Sequence, residues 1–336
     1  MLKRQIKKLL VALGANSLLL RFLGVPLVLG YHRVSDDTSP LMAQRVGCVT
    51  PAQFREHIGY FLGIGCKFGP LSEVLTTTTR CSLALTFDDG FRDLYDEAFP
   101  VLRGNAIPFT LFLITSLPDS SVLLWQHDLY DVLESLPSGM RASRLGEAMA
   151  AVTGRVPEDD TLNQMLNELF SGYSKAEMYS VISTLKSSGY VANYKPEEIY
   201  LSSLQIIEMM KNGLTVEAHG HDHWILASLD DEALKREVTR CSEVLRESFA
   251  ATSNIYAVAH GKASDANLQR IRSLGFDHIV DGSSGALRVG DGFTAPRIWP
   301  QGDAVDVSWL LTRTLLRHLI SVAGNKYASS RTGGKR

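Results

Sequence analysis

Two adjacent carboxylates, Asp88 and Asp89, end an apolar run in the segment LALTFDDGFRDLY, which spans residues 83–95. An apolar run of this length is typical of a buried strand. At the end of such a strand, one carboxylate can hold a metal ion while its neighbour takes a proton from water. The same DDG sequence also occurs as a plain turn, in which an aspartate caps the next helix and the glycine adopts a positive φ.

Three histidines within five residues, in the segment HGHDH at 219–223, offer a second set of reactive groups. Clustered imidazoles destabilise a fold when they protonate, unless a metal ion or a carboxylate uses them. A helical turn would place His219 and His223 on one face, at the spacing of paired zinc histidines, and would direct His221 elsewhere. An extended segment would place all three on one face. We expect the turn, because a helix start follows near Ser228.

Two imidazoles and one aspartate leave coordination positions open, which is the arrangement of a catalytic zinc ion rather than a closed structural one. Two histidines and one carboxylate also bind iron in non-heme oxygenases. The second aspartate favours a hydrolase, because hydrolysis needs a base to take a proton from water and an oxygenase does not. The residues therefore predict a divalent metal ion held by one aspartate, with the other as general base.

The elements around these groups alternate between strand and helix, which predicts an α/β fold with a parallel sheet, closed or open. Apolar runs end near His32, Asp88, His219 and His260. Since the carboxyl ends of parallel strands meet on one side of such a sheet, we expect these four residues to lie close together. Taken singly, a histidine such as His32 or His260 is more often a hydrogen-bonded structural residue.

Residues 119–200 interrupt the alternation with amphipathic helical patterns, and we interpret them as a helical insertion or lid. The aromatic residues Trp125 and Tyr130 in this stretch are expected to pack in its core, with stacking on sugar rings as the alternative. The main domain is expected to span residues 26–320. The polar, glycine-rich, basic tail from 321 to 336 has the composition of a disordered segment.

The first 25 residues form a basic amphipathic segment. A helix through residues 2–13 would oppose four basic residues to four apolar ones, Lys3, Arg4, Lys7 and Lys8 against Leu2, Ile6, Leu9 and Leu13. Such a helix can lie on an anionic bilayer, or it can pack on the domain. No small-residue cleavage site precedes Pro26, and Asn16 and Arg21 interrupt any spanning run. The protein is expected in the cytoplasm or the cell envelope, with peripheral membrane contact through this segment.

Composition excludes one class of partner. The chain of 336 residues has a formal net charge of -2, which provides no basic field for nucleic acid. Its four cysteines are widely spaced and lack the close pairs of thiolate metal sites, so we interpret them as small core residues, with a disulfide left open.

The motif TFDDG at 86–90, followed by HGHDH, resembles the metal-dependent polysaccharide deacetylase family, whose motifs are T-F-D-D-G and H-[ST]-x-x-H on a distorted (β/α) barrel. The resemblance implies that Asp88 is the base and that Asp89, His219 and His223 bind a divalent ion, with Zn²⁺ the first candidate. Gly220 stands where the family has serine or threonine, which would remove one hydrogen bond near the metal ligands.

The segment LGYHRV is similar to the motif that carries the family's catalytic histidine, which usually comes late in the chain. An early position is typical of the circularly permuted branch that includes the poly-N-acetylglucosamine deacetylases. The resemblance then implies that His32 is the general acid. The late segment LLRHLI around His318 lies in a predicted helix, which agrees with the permuted order.

Three further residues are expected at the substrate. In VAHGK, Ala259 replaces the proline of a Y-P-x-G-like loop and His260 holds its variable position. Arg297 in APRIW matches a late arginine that lies near the base, and the strand end at Tyr31 is a candidate to stabilise the oxyanion.

The resemblance implies hydrolytic removal of an N-acetyl group from an amino sugar of a poly- or oligosaccharide. Two alternatives stay open at this stage. One is a non-catalytic, sugar-binding subunit of a glycan-synthesis assembly, and the other is an amidase or deformylase that acts on another acyl amide.

Overall fold

The chain folds into a nearly closed barrel of parallel strands with helices around it. The computed structural model describes residues 25–76, 82–157, 160–187, 189–284 and 294–332. Its strands are β1 (Leu27–Tyr31), β2 (Arg33–Val34), β3 (Cys48–Val49), β4 (Lys67–Phe68), β5 (Ser82–Asp89), β6 (Phe109–Leu113), β7 (Leu214–Ala218), β8 (Ile255–Ala257), β9 (His278–Ser284) and β10 (Thr294–Arg297). Around the barrel the order is β1, β5, β6, β7, β8, β9, β10, and β4 pairs with β5.

The first and last strands of this order meet and nearly close the barrel. Ile298 forms a parallel bridge with Leu29. The N–H of Gly30 donates to the carbonyl of Ile298, and the N–H of Ile298 donates to the carbonyl of Val28, each at 2.8 Å. The carboxyl ends of all these strands therefore form one rim, as the alternation of strand and helix predicted.

The helices are α1 (Met42–Val46), α2 (Pro51–Gly63), α3 (Leu71–Thr76), α4 (Phe99–Gly104), α5 (Trp125–Glu134), α6 (Arg141–Thr153), α7 (Leu162–Gly172), α8 (Lys175–Lys186), α9 (Pro196–Ile199), α10 (Ser203–Met210), α11 (Asp231–Phe249), α12 (Asp265–Ser273) and α13 (Ala304–Thr332). Capping boxes begin α8 at Ser174 and α10 at Ser202. The short strands β2 to β4, and β10 near the end of the barrel, were not predicted.

Strand alternation separates two apolar layers. In β1 and β5, Leu27, Leu29, Leu83 and Leu85 face the surrounding helices as part of the main core. The intervening positions of these two strands, Val28 and Ala84, belong to a separate cluster inside the barrel, together with Phe112 of β6. Because successive side chains of a strand point to opposite faces, this alternation decides which residues of each strand reach the rim from inside.

Helices α5 to α9 form the insertion that the sequence predicted between β6 and β7. They enclose an apolar cluster of their own, in which Leu129, Leu166 and Val181 are buried. Trp125 and Tyr130 are 2% and 1% exposed within it, which confirms core packing rather than an open surface for sugar rings. The insertion thus rests on the rim of the barrel as a second packed layer.

The two ends differ in what the structure describes. Residues 1–24 lie outside the described residues, so the amphipathic segment and its membrane contact stay predictions. Helix α13 continues to Thr332, whereas the composition predicts a disordered tail from residue 321. Residues 333–336 lie outside the described residues. Across the described ranges, no helix has the length and apolar character to cross a bilayer.

The cysteines behave as expected over the part of the chain that the structure describes. Cys66 and Cys241 are buried, Cys48 is half-buried, and Cys48 and Cys241 are free thiols. Cys81 lies outside the described residues.

Candidate active site

The predicted residues meet in a cavity of about 320 Å³ at the carboxyl ends of the strands. Its lining includes residues of the barrel and of the insertion: His32, Arg45, Val46, Asp88, Asp89, Gln126, His127, His219, His223, Val258, His260, Gly261, Gly282, Arg297 and Trp299. Every site residue predicted from the sequence is present except Tyr31.

Three of these side chains can hold a metal ion. The Oδ1 atom of Asp89 lies 3.4 Å from Nε2 of His219 and 3.6 Å from Nε2 of His223. One ligand atom from each residue lies within 4.8 Å of the others. Bonds of about 2.0 Å to a tetrahedral zinc ion would separate its ligands by about 3.3 Å. Asp89 Oδ1 is buried and accepts no hydrogen bond from the described residues, so the group fits a cation.

The histidine His219 is oriented by a bond on its far side. Its Nδ1 lies 2.9 Å from the carbonyl oxygen of Ala257, a hydrogen bond that leaves Nε2 free to face Asp89. A bond of this kind fixes the tautomer and the ring orientation of histidines that bind metals. Burial alone would lower the pKa of His219, but Asp89 and Asp88 raise it above its usual value.

The backbone of the DDG turn brings both aspartates to the cavity. Asp88 falls on the inner face of β5, whereas Asp89 has φ 75° and Gly90 has φ 117°, both in the left-handed region. Such values are uncommon for aspartate and concentrate at functional sites. A Cβ at position 90 would approach Cδ1 of Leu113 to 2.9 Å, so glycine is required there for space as well as for φ.

The segment HGHDH is a loop and not the helical turn that we predicted. Strand β7 ends at Ala218, and the chain stays irregular until the short helix Leu226–Ser228. His223 has φ 58°, which turns its side chain back toward His219, and the two rings lie 4.8 Å apart. His221 points elsewhere, as expected, with Nδ1 3.0 Å from Oγ1 of Thr115.

Arg297 contacts Asp88, as its likeness to a late arginine near the base implied, and it also lines the cavity. Its guanidinium donates to both carboxylate oxygens of Asp88, with 2.7 Å between Nη2 and Oδ2. Arg297 is 2% exposed and lies against the rings of Trp299 and Phe112. Burial raises the pKa of Asp88, but the charge of Arg297 and the nearby histidines offset it, and the pKa stays below its usual range.

With Asp88 as the base that the family resemblance implies, we predict that Arg297→Met shifts the pH dependence of turnover. A base works only as the carboxylate, so activity falls as the pH drops through the pKa of Asp88. Without the guanidinium, less opposes the effect of burial, so the pKa of Asp88 should rise. The acid limb of kcat/KM should then move to higher pH. The control is Arg33→Met, which breaks a similar pair with Asp93 outside the cavity. An acid limb at the wild-type pH in Arg297→Met would contradict this coupling.

His32 directly follows β1, the strand that pairs with β5, and its side chain lies near Asp88. Its Nε2 lies 3.8 Å from Oδ2 of Asp88, and Nε2 of His219 lies 3.9 Å from the same oxygen. The ring of His32 stacks on Trp299 at 4.9 Å between centroids and 17° between planes. Asp88 is therefore within reach of both His32 and the candidate metal ligands.

Tyr31 does not reach the cavity. It follows Leu27 and Leu29 on the outer face of β1, and its hydroxyl lies 3.1 Å from Nδ1 of His57 within the core. Strand alternation thus places its side chain among the helices, and the prediction that this side chain contacts substrate is not supported.

His260 does line the cavity. It has φ 56° and its ring lies 4.6 Å from that of His223. Its Nε2 is buried without a hydrogen-bond partner among the described residues. Burial lowers its pKa to about 4, so the imidazole is neutral at pH 7.

Several residues in the cavity wall or behind it were missed by the sequence analysis. His127 and Gln126, at the start of α5, reach the cavity from the insertion, and Nδ1 of His127 lies 2.7 Å from the hydroxyl of Tyr200. Glu237 in α11 accepts hydrogen bonds from the backbone of the HGHDH loop. Amphipathic helical patterns conceal such residues, because one polar residue on a helix face is indistinguishable from a solvated one.

Comparison with known proteins assigns this geometry to a family. The sequence matches the polysaccharide deacetylase family model over residues 76–168 and 171–279, more than half of the chain. The chain belongs to the polysaccharide deacetylase family. This membership confirms the family and the hydrolase class that the motifs predicted. The DDG segment, the HGHDH loop and His260 fall inside the matched ranges, whereas His32 and Arg297 fall outside them.

One curated relative is the poly-β-1,6-N-acetyl-D-glucosamine N-deacetylase of Staphylococcus epidermidis. It is 33% identical over 104 residues, which cover 27% of this chain. The match spans 36% of the relative's own length.

Solved structures of low sequence identity share the fold. IcaB from Ammonifex degensii superposes with a TM-score of 0.57 at 17% identity, covering 85% of this chain and 97% of that one. The deacetylase PplD of Streptococcus pyogenes, solved with acetate, gives a TM-score of 0.55 at 17% identity, with 87% and 98% coverage. These similarities confirm the distorted (β/α) barrel.

Proposed function

We propose that this chain removes N-acetyl groups from an N-acetylglucosamine polysaccharide, with Zn²⁺ as its metal ion. The observation that supports this proposal is the cluster of Asp89, His219 and His223 in one cavity of a polysaccharide deacetylase barrel. The same cavity holds a further carboxylate, Asp88, which is not one of the candidate ligands. A glycan linked through β-1,6 bonds is the first candidate, because the S. epidermidis relative is named for it.

The ligand set that we propose is Asp89, His219 and His223. Two imidazoles and one carboxylate match the ligands that zinc takes in catalytic sites with an open position. When bound there, a divalent ion supplies a Lewis acid that polarises the acetyl carbonyl and makes water easier to deprotonate.

Asp88 is proposed as the general base. Both of its oxygens accept hydrogen bonds from Arg297, which keeps the carboxylate oriented and ionised. Because Arg297 engages both oxygens of Asp88, and Asp88 is not one of the three candidate ligands, it can take the proton of the attacking water. The two aspartates thus divide the work between proton transfer and metal binding.

His32 is proposed as the general acid. Stacking on Trp299 holds its ring, and its Nε2 lies 3.8 Å from Oδ2 of Asp88. A proton on His32 would pass to the amine nitrogen of the sugar as the bond between carbon and nitrogen breaks. Transfer of this proton produces a neutral amine as the leaving group.

His260 is proposed to contact the substrate. Its neutral imidazole has an unpartnered Nε2 that faces the cavity, which suits a hydrogen bond to a sugar hydroxyl or to the acetamido group. His127 and Gln126 extend the same wall from the insertion, so that α5 contributes to the shape of the sugar site. Peripheral membrane contact through residues 2–13 remains part of this proposal on sequence grounds alone.

The test is a panel of acyl amides offered to the zinc-loaded protein. The panel contains β-1,6-linked and β-1,4-linked N-acetylglucosamine oligomers, free N-acetylglucosamine and N-formyl counterparts, with acetate and formate measured by enzymatic assay. We expect acetate from the oligomers, fastest from the β-1,6 series. Formate release without acetate would favour a deformylase, and binding of the oligomers without any product would favour a sugar-binding subunit.

A further inference from the structure

The loop between the two candidate metal histidines is held by a single carboxylate from outside the site. The backbone N–H groups of His221, Asp222 and His223 all donate to Oε1 of Glu237, at 2.8, 2.8 and 3.0 Å. Glu237 lies in α11, fourteen residues after His223, and is 7% exposed. One oxygen thus satisfies three consecutive N–H groups of an irregular segment.

Three carbonyls of the loop backbone have other partners. The carbonyls of Gly220 and His221 accept from the N–H groups of Thr115 and Ser116, each at 3.1 Å. The carbonyl of Asp222 accepts from Nε1 of Trp125 at 3.1 Å. These three carbonyls therefore bond to three different neighbours, whereas the N–H groups of residues 221–223 all bond to Glu237.

The absence of a side chain at Gly220 leaves room for the carboxylate of Glu237. A Cβ at position 220 would lie 2.7 Å from Oε1 of Glu237, and Gly220 has φ 87°. A serine or threonine at this position, as in the family motif, could not coexist with the carboxylate where it lies. The glycine that departs from the motif is thus the residue that admits Glu237 to the loop.

We infer that Glu237 is a positioning residue of the metal site, which holds His223 in place through the loop backbone. His223 has φ 58°, a conformation that costs free energy and persists only where neighbouring contacts impose it. Glu237 supplies such contacts on the three residues that lead into this position. The inference rests on the proposed function, since it assigns His219 and His223 to the metal.

The test compares zinc affinity in four variants by competition with a chromophoric chelator. Loss of an outer partner of a metal ligand lowers affinity by about 10-fold to 100-fold. We expect that loss for Glu237→Ala. Gly220→Ala should show a similar loss, because the added methyl displaces the same carboxylate. Glu237→Gln keeps an acceptor oxygen and should stay within about 3-fold of wild type, because one neutral acceptor can still serve these donors.

The matched control is Asp131→Ala. Asp131 is also a fully buried carboxylate that pins a loop, with Oδ1 accepting from the backbone and side chain of Asn193, and it does not touch the HGHDH loop. We expect it to lower the melting temperature and leave zinc affinity unchanged. Hydrogen exchange of the amides at 221–223 in metal-free protein gives a second readout. Exchange should accelerate in Glu237→Ala and Gly220→Ala and keep the wild-type rate in Asp131→Ala.

The outcomes separate this inference from the function on which it rests. Wild-type protein that binds zinc, together with Glu237→Ala that binds it equally well and keeps its amides protected, would overturn the inference alone. Wild-type protein that binds no zinc would overturn the proposed function and the inference together. Weakened binding in Glu237→Ala and Gly220→Ala, with Glu237→Gln and Asp131→Ala unaffected, is the result that we expect.

Discussion

Asp88→Asn is expected to keep the metal ion and to lower kcat by about 10²-fold to 10⁴-fold, the usual contribution of a general base. Asparagine has nearly the shape of aspartate and can still accept a bond from Arg297 through its oxygen. It cannot take a proton from water, so the chemical step should fail while KM changes little. Acetate release at saturating substrate measures the effect, with zinc content determined on the same samples.

The matched control is Asp93→Asn. Asp93 pairs with Arg33 at 2.8 Å and lies outside the cavity, so this variant also breaks an aspartate–arginine pair. We expect it to lose stability and to keep kcat. Retention of most activity in Asp88→Asn would show that another group is the base, and loss of zinc in that variant would show that Asp88 is a ligand.

Asp89→Ala is expected to lose zinc and activity together. It removes the only carboxylate of the ligand set and leaves two imidazoles. Because loss of an outer partner alone lowers affinity by about 10-fold to 100-fold, loss of a ligand should exceed about 100-fold. Affinity is measured by chelator competition, and acetate release is measured with a large excess of zinc to test for rescue.

The control for this variant is His221→Ala. His221 belongs to the same histidine run, but its ring lies by Thr115 and outside the candidate cluster. Its replacement should leave zinc affinity near the wild-type value. If His221→Ala lost zinc as Asp89→Ala does, the ligand set would be wrong, and if Asp89→Ala kept both zinc and turnover, the division of labour between the two aspartates would fail.

The sequence predicted the parallel sheet because its signals are local, and the family resemblance implied that the sheet closes into a barrel. Apolar runs bounded by turn residues indicate strands without reference to distant parts of the chain, and the parallel arrangement follows from the helices between them. The position of Asp88, Asp89 and the histidines followed in turn, since parallel strands share one rim. The same kind of reasoning could have excluded the side chain of Tyr31 from the cavity, because two-residue alternation from Leu27 and Leu29 places it outside the barrel.

The parts that were not predicted depend on contacts between distant residues. The left-handed backbone at Asp89 and His223 is imposed by packing and contradicts the ordinary preference of these residue types. Glu237 acquires its role only because α11 packs against the HGHDH loop. Arg297 belongs to a strand that the sequence analysis did not detect, so its contact with Asp88 could only be stated as a likeness to the family.

The most direct test of the account is acetate release by one protein preparation in metal-free and zinc-reloaded form. Wild-type protein is stripped with a chelator, dialysed, and titrated with zinc while acetate from a β-1,6-linked N-acetylglucosamine oligomer is measured. We predict no release from the stripped protein and a linear rise in activity that ends at one zinc ion per chain. Equal acetate release from stripped and reloaded protein would contradict a metal-dependent deacetylase built on Asp88, Asp89, His219 and His223.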